Sequence, residues 1–264
     1  MKSPTAHTRT VHARRLASPT LGAVLIAIVL LGALFALNAC GRDRTSQEVD
    51  PFAPFRPALK EEHQDIFEQM AEAPRYAIEI QMDTEDKIIT GTAKIDITNY
   101  SQDHWTELIF RLYPTLQQYG GNFLVRSAIV NDQPVSYGYV ADNTAIRVDL
   151  AEPLPPGEAV QVRMNWRLDY PVWSDNEAIY ALFGESQGMT SLPLFYPALA
   201  VYEDGELPGL GDWWQEIGTV RGDAAYNVAS LFAVTATMPT AEVPVTSGTL
   251  VTSTLLGDGL AQHV

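Results

Sequence analysis

From Tyr76 almost to its C-terminus the chain alternates apolar and polar residues with a period of two, and this feature most limits what it can fold into. "YAIEIQM" sets Tyr76, Ile78, Ile80 and Met82 on one face, and "IITGTAKIDITNYS" repeats the pattern through Ala93, Ile95 and Ile97. "TELIFRLYP", "FLVRSAIVNDQPVSY", "TAIRVDL" and "AVQVRMNWRL" follow, with Asn-Asp, Asp-Asn or Pro-Pro-Gly between them. Successive side chains of a strand point to opposite faces, so a period of two marks strands with one buried face. Short strands joined by hairpin-type turns, with no helical period between them, predict a mainly β fold built as an antiparallel β-sandwich. Within "LIFRLYPTL", Leu108, Phe110 and Leu112 fall on one side of the pleat and Ile109, Arg111 and Tyr113 on the other. Pro114 ends the pairing. Arg111 is expected on a polar sheet face or beside an acid, as scaffold.

The stretch 171–223 is less regular and holds Trp173, Trp213 and Trp214, which read as packing aromatics capping an open end of the sandwich. Strand pattern resumes in "YNVASLFAVTATMP" and "VPVTSGTLVTSTLL". The final "GDGLAQHV" reads as a hairpin turn entering one more strand whose partner is missing. The β region 75–264 is therefore expected to be truncated at its C-terminal end, with an open edge at "LAQHV".

The first 40 residues follow another logic. Lys2, Arg9, Arg14 and Arg15 precede an unbroken apolar run over 21–37, which closes on Asn38-Ala39-Cys40. A basic region, an apolar core and a small residue before a cut make a secretory signal over 1–39. Ala39 before Cys40, the chain's one cysteine, resembles a bacterial lipoprotein signal, in which Cys40 becomes the acylated first residue. Asn38 departs from the small residue usual at its place. An uncleaved membrane anchor is the alternative, since the run is nearly long enough to span a bilayer. Either way the body is expected on the outer face of the cell membrane, held by lipid at Cys40 or by the apolar segment. Residues 40–58, polar and broken by proline, read as a flexible tether. In 59–73, Leu59, Ile66, Phe67 and Met70 at helical spacing predict one short amphipathic helix closed by Pro74.

Chemistry is sparse. Of the 17 Lys and Arg, four lie in residues 1–40, where no acid occurs, so the remainder is more acidic than the whole chain's −15. Such a body repels phosphate backbones, and nucleic acid is not an expected partner. A single cysteine excludes an internal disulfide or a thiolate zinc cluster. Beyond the leader, His63, His104 and His263 have no ligand at metal spacing, and each reads as a surface or turn histidine. "GESQG" places Ser186 between two glycines, but without the strand-to-helix elbow that presents a nucleophile. Glu203, Asp204, Glu206 and Asp212 crowd one stretch without a binding-loop spacing, and they read as a solvated acidic loop in preference to a calcium site. No catalytic or metal-binding residue is assigned.

Five stretches carry a family resemblance, in order, over 76–256. "YAIEIQMDTEDKIITGTAKIDITNYS", "ELIFRLYP", "LAEPLPPGEAVQVRMNW", "LFYPALAVYEDG" and "ASLFAVTATMP" followed by "VTSGTLV" resemble the N-terminal β domain of the zinc aminopeptidases related to aminopeptidase N. The resemblance implies a saddle-like β domain that packs on a thermolysin-like catalytic domain and walls one side of its substrate cleft. The zinc ligands, the general-base Glu and the exopeptidase motif belong to that following domain, so the resemblance implies no cofactor here and no peptide hydrolysis by this chain alone. "QGMTS" at 187–191 lacks the Glu and Asn of the exopeptidase motif. The expected role is the membrane-tethered N-terminal portion of such a metallopeptidase. A stand-alone lipoprotein module that binds a peptide or protein partner is the other reading.

Overall fold

The computed structural model describes residues 50–174, 182–215 and 225–264. The expected signal or anchor, Cys40 and the tether as far as 49 lie outside these residues. The chain then runs through a 3-10 turn (Arg56–Ala58), a second (Glu61–His63) and a single helical turn, α1 (Ile66–Gln69). The single helix expected over 59–73 does not form. Lys60 is extended (φ −64°, ψ 151°) and interrupts it, and of the four apolar residues only Phe67 is buried, while Ile66 is 42% exposed. A helix this short depends on packing of its apolar face, and here that face has little to pack against. Residues 51–58 join these turns: Phe52 stacks on Phe67 with centroids 5.2 Å apart, and Arg56 Nη1 donates to Gln64 Oε1 at 2.7 Å.

The strands follow the alternation closely. β1 (Arg75–Asp83) and β2 (Ile88–Thr98) form a hairpin, followed by β3 (Trp105–Arg111), β4 (Asn122–Val130) and the short β5 (Gln133–Pro134) and β6 (Tyr137–Val140). β7 (Ala145–Leu154) and β8 (Ala159–Asp169) are long. The irregular stretch contributes only β9 (Gly184–Ser186), β10 (Met189–Ser191), β11 (Ala198–Leu199), β12 (Tyr202–Glu203) and β13 (Asp212–Trp213). β14 (Leu231–Pro239), β15 (Ser253–Gly257) and β16 (Leu260–His263) complete the set.

Two sheets carry the fold. One has eight strands in the order β15-β16-β14-β1-β2-β8-β4-β5, and the other has four in the order β11-β3-β7-β6. Ile78, Ile89, Ala93, Ile95, Val162, Met164 and Trp166 from the first share one buried core with Leu108, Phe110, Ile146 and Val148 from the second. The mainly β, sandwich-like architecture is thus as expected. Gly91 is set by this core. It lies opposite Trp166 in the β2–β8 register, and a Cβ there would come within 2.2 Å of the indole. Only glycine lets Trp166 lie over β2 and stack on Phe123 at 5.0 Å.

Three expectations are corrected. The large sheet is mixed: β1 pairs antiparallel with β2 on one side but parallel with β14 on the other, Tyr76 opposite Phe232 and Ile80 opposite Ala236. A long connection leaves strand direction free where a tight hairpin would fix it, and the parallel alignment stacks Tyr76 on Phe232 at 4.8 Å. "VPVTSGTLV" is not a strand. Pro244 lacks a donor, and Thr246 Oγ1 closes a turn on the Gly248 N–H at 3.2 Å. Finally, "LAQHV" does not lack a neighbour, because β16 pairs with β14 on one side and β15 on the other.

Candidate functional site

The sequence-predicted residues do not converge. Cys40 lies outside the described residues. His63 sits on the surface with Nε2 3.6 Å from Glu62, His104 is exposed, and His263 Nδ1 is 3.1 Å from Ser253 Oγ across a strand pair. Ser186 ends β9 in a tight hairpin with Met189, turned by Gln187 (φ 52°) and Gly188 (φ 73°). Two positive φ values make this a hairpin turn and not a strand-to-helix elbow. Glu203, Asp204 and Asp212 are spent on structure. Glu203 accepts from the Tyr226 hydroxyl at 3.0 Å, Asp204 from the Gln102 N–H at 3.0 Å, and Asp212 from the Trp213 N–H at 2.7 Å. Glu206 is exposed. Among the described residues no three His, Cys, Asp or Glu side chains gather so as to hold a metal ion, and the described residues therefore do not fit a zinc site.

What the fold does assemble is a buried polar knot at the junction of β2, β3 and the 202–213 loop. Asn99 is 1% exposed and uses its whole amide: Nδ2 donates to the Asp103 and Leu154 carbonyls at 2.7 and 2.8 Å, and Oδ1 accepts from the N–H and hydroxyl of Ser101. This turns the chain so that Asp103 points into the loop. One carboxylate oxygen of Asp103 accepts the Gly209 N–H, and the other accepts the Gly211 N–H at 3.0 Å and the Tyr202 hydroxyl at 2.8 Å. A Cβ at Gly211 would lie 2.7 Å from that second oxygen. The Gly209 N–H and then the Tyr202 hydroxyl hold the Asp103 carboxyl below the ordinary carboxylate value. Around the knot, Trp105 packs against Tyr100, Tyr202 and Trp213 with centroids 5.3, 5.5 and 4.7 Å away.

A second polar group lies at the end of β3. Arg111 is 1% exposed, which corrects its expected place on a polar face or beside an acid. Its Nε and Nη2 donate to the Trp214 carbonyl at 2.9 and 2.6 Å, and Nη1 donates to the Tyr113 hydroxyl at 3.0 Å. The Tyr113 hydroxyl in turn donates to Asn227 Oδ1 at 2.9 Å and accepts the Tyr226 N–H at 3.2 Å. Both faces of β3 are buried here, so there is no polar face for Arg111 to occupy.

The outer face of the large sheet offers a shallow depression of about 430 Å³, lined by Glu79, Gln81, Thr92, Arg126, Asn165 and Thr237 among others. Thr92 Oγ1 donates to Asn165 Oδ1 and Asn165 Nδ2 to Ser127 Oγ, both at 2.8 Å, which makes a polar ladder across β2, β8 and β4. A bulge between Val125 and Ser127 inserts Arg126 at its edge.

These groups are built to hold shape. Burial, the largest influence on each, pushes Tyr76, Tyr100 and Tyr202 up, and lifts Tyr196 to about 12. The Glu185 carboxylate raises Lys87, and Asp103 is lowered. Every one of these shifts moves a group further from neutrality, whereas a general acid or base works best with a pKa near the working pH.

No protein-family model matches this sequence, and no curated protein matches it. Solved structures of M1 zinc metallopeptidases do match. A two-domain M1 zinc metallopeptidase variant bound to L-arginine is 18% identical, with a TM-score of 0.48, over 73% of this chain and 38% of that one. The variant bound to L-tryptophan, again 18% identical over the same shares of the two chains, has a TM-score of 0.42. A Deinococcus radiodurans M1 zinc metallopeptidase variant bound to the substrate Tyr-Ser-Ala has a TM-score of 0.44, also at 18% identity, 73% of this chain and 38% of that one. The matched part of this chain spans 38% of the length of these metallopeptidases.

Proposed function

We propose that this chain is the membrane-tethered, extracytoplasmic and non-catalytic β portion of an aminopeptidase-like zinc metallopeptidase. One observation supports the reading above the others. The stretches that resemble that family's N-terminal domain fall in chain order on the β1–β2 hairpin, β3, the end of β7 with β8, the β11–β12 segment and β14, with only "VTSGTLV" outside a strand. In this reading the zinc and the groups that act on peptides lie outside these 264 residues, and the sandwich forms one wall beside them. Acylation at Cys40, or the apolar run before it, holds the body at the outer face of the membrane.

Two measurements test the two halves of the proposal. Zinc-supplemented 264-residue chain is expected to show no hydrolysis of aminoacyl arylamides, and turnover by the purified chain would overturn the non-catalytic role. Cells fed radiolabelled palmitate are expected to label the wild-type chain but not Cys40→Ser. Equal labelling of both rejects acylation at this residue.

The polar depression beside Arg126 favours a second reading, a lipoprotein module that binds a peptide or protein partner. That reading gains if Arg126→Ala abolishes capture of an extracytoplasmic peptide by the isolated chain.

A further inference from the structure

The two ends of the eight-stranded sheet are finished differently. At the β4–β5 end, Pro134 sits in the last strand, and two tyrosines cover the neighbouring backbone. The Val125 N–H donates to the Tyr139 hydroxyl at 2.9 Å, and the Tyr137 hydroxyl donates to the Val125 carbonyl at 3.3 Å. At the other end β15 is the last strand, all five of its residues are exposed, and among the described residues no strand pairs with its outer side. Thr252 exchanges both backbone hydrogen bonds with Val264, at 3.2 and 3.0 Å. Alternation along an antiparallel pair then turns the N–H and C=O of Ser253 and Leu255 outward.

The chemistry of this edge is unusual for the molecule. In a chain of net charge −15, residues 243–257 contain no charged side chain. Val243, Val245, Leu250, Leu255 and Leu256 are 83, 91, 62, 77 and 52% exposed. Proteins normally blunt a free strand edge with lysine, proline or a covering segment, and β15 carries neither residue.

We infer that this edge is the interface for a second copy of the same chain, joined by antiparallel pairing of β15 with β15 about a two-fold axis. Antiparallel pairing of one strand with itself satisfies a two-fold operation, so the same edge serves both partners. The partner strand must be extended, branched and uncharged, and residues 243–257 meet that description themselves. Two acidic bodies also need a meeting place where no like charges face each other, and this segment supplies one. An ordinary specific interface covers roughly 800 Å² on each partner, an area that calls on the exposed apolar loop 243–251 as well as the strand.

Sedimentation equilibrium of the full chain in detergent micelles, over roughly 1–100 μM, is expected to show a concentration-dependent dimer. Thr254→Lys and Leu255→Lys, exposed positions on opposite faces of β15, are each expected to weaken it about tenfold or more by setting like charges across the pair. A monomer throughout, or a dimer of equal strength in both variants, overturns the proposal. Amide exchange supplies a readout that needs no variant and is blind to association through the apolar N-terminal run. Protection of the Ser253 and Leu255 amides should rise with protein concentration, and unchanged exchange across the range refutes the pairing. Protection seen only in a longer polypeptide that continues past Val264 assigns the edge to that polypeptide and equally refutes the two-copy interface.

Discussion

Asp103 carries more of the architecture than any other single acid described here, because one side chain closes a loop from a hundred residues further along the chain. Its folded pKa lies below the ordinary 3.8. A depressed carboxyl contributes stability that is fully present above the unfolded value and is lost as pH falls through the folded one. Asp103→Asn is therefore expected to lower the urea midpoint at neutral pH. The gap between wild type and variant should stay constant down to about pH 5 and narrow below about pH 4, where the unfolded chain takes up a proton that the folded carboxyl still resists, until the folded carboxyl protonates as well. A gap that persists unchanged at pH 2 would show that charge plays no part. Gly91 makes a separate claim at the same scale. Adding one methyl there drives it into the Trp166 ring, and Gly91→Ala should cost about 1–3 kcal/mol by overpacking, measured by urea denaturation. The alternation of β2 shows that position 91 faces the core, but it does not show which ring lies across it. Asp103 is harder still to read from sequence, since its partners Tyr202, Gly209 and Gly211 become neighbours only after the loop has folded back.

At the scale of the element, β3 shows both how far period two reaches and where it stops. A strand with one wet face declares that face through its polar residues, and β2 and β8 do so from Thr90 and Gln161 onward. Near the end of β3 both faces are dry, so the same alternation places Arg111 opposite Phe110 while saying nothing about what receives its charge. The receiver is a main-chain carbonyl, that of Trp214, with the Tyr113 hydroxyl beside it. Carbonyls leave no trace in a sequence. Removing the Tyr113 hydroxyl leaves Asn227 and the Tyr226 N–H without it, and Tyr113→Phe should cost about 1–3 kcal/mol in chemical denaturation. A loss below a few tenths of a kcal/mol would mean that water replaces the hydroxyl. The misread helix over 59–73 has a related origin. Helical spacing was present in Leu59, Ile66, Phe67 and Met70, but spacing alone does not reveal whether a receiving surface exists, and only Phe67 found one.

For the molecule as a whole, the long strands and the sharing of one core were legible because strands such as β1, β2, β4 and β8 carry their own alternating burial pattern. The order of strands was not. Nothing local to β14 indicates that it runs parallel to β1, or that the last hairpin attaches to the far side of β14 and leaves β15 outermost. Among the described residues, the side chains of Asn99, Asp103 and Arg111 are taken up in holding loops, and the hydrogen bonds on Asp103 lower its carboxyl pKa.

The parallel seam between β1 and β14 has one more consequence, which concerns the cutting of the chain. β1 begins the sandwich and β14 nearly ends it, yet they lie side by side over Arg75–Gln81 and Leu231–Thr237. A protease that nicks the exposed stretch at 205–210 severs the backbone but not this seam. The fragment bearing β14, β15 and β16 should remain attached and co-migrate with the rest under native conditions, and the two should separate only in denaturant. That is a form of damage tolerance: the chain can be broken while its fold persists.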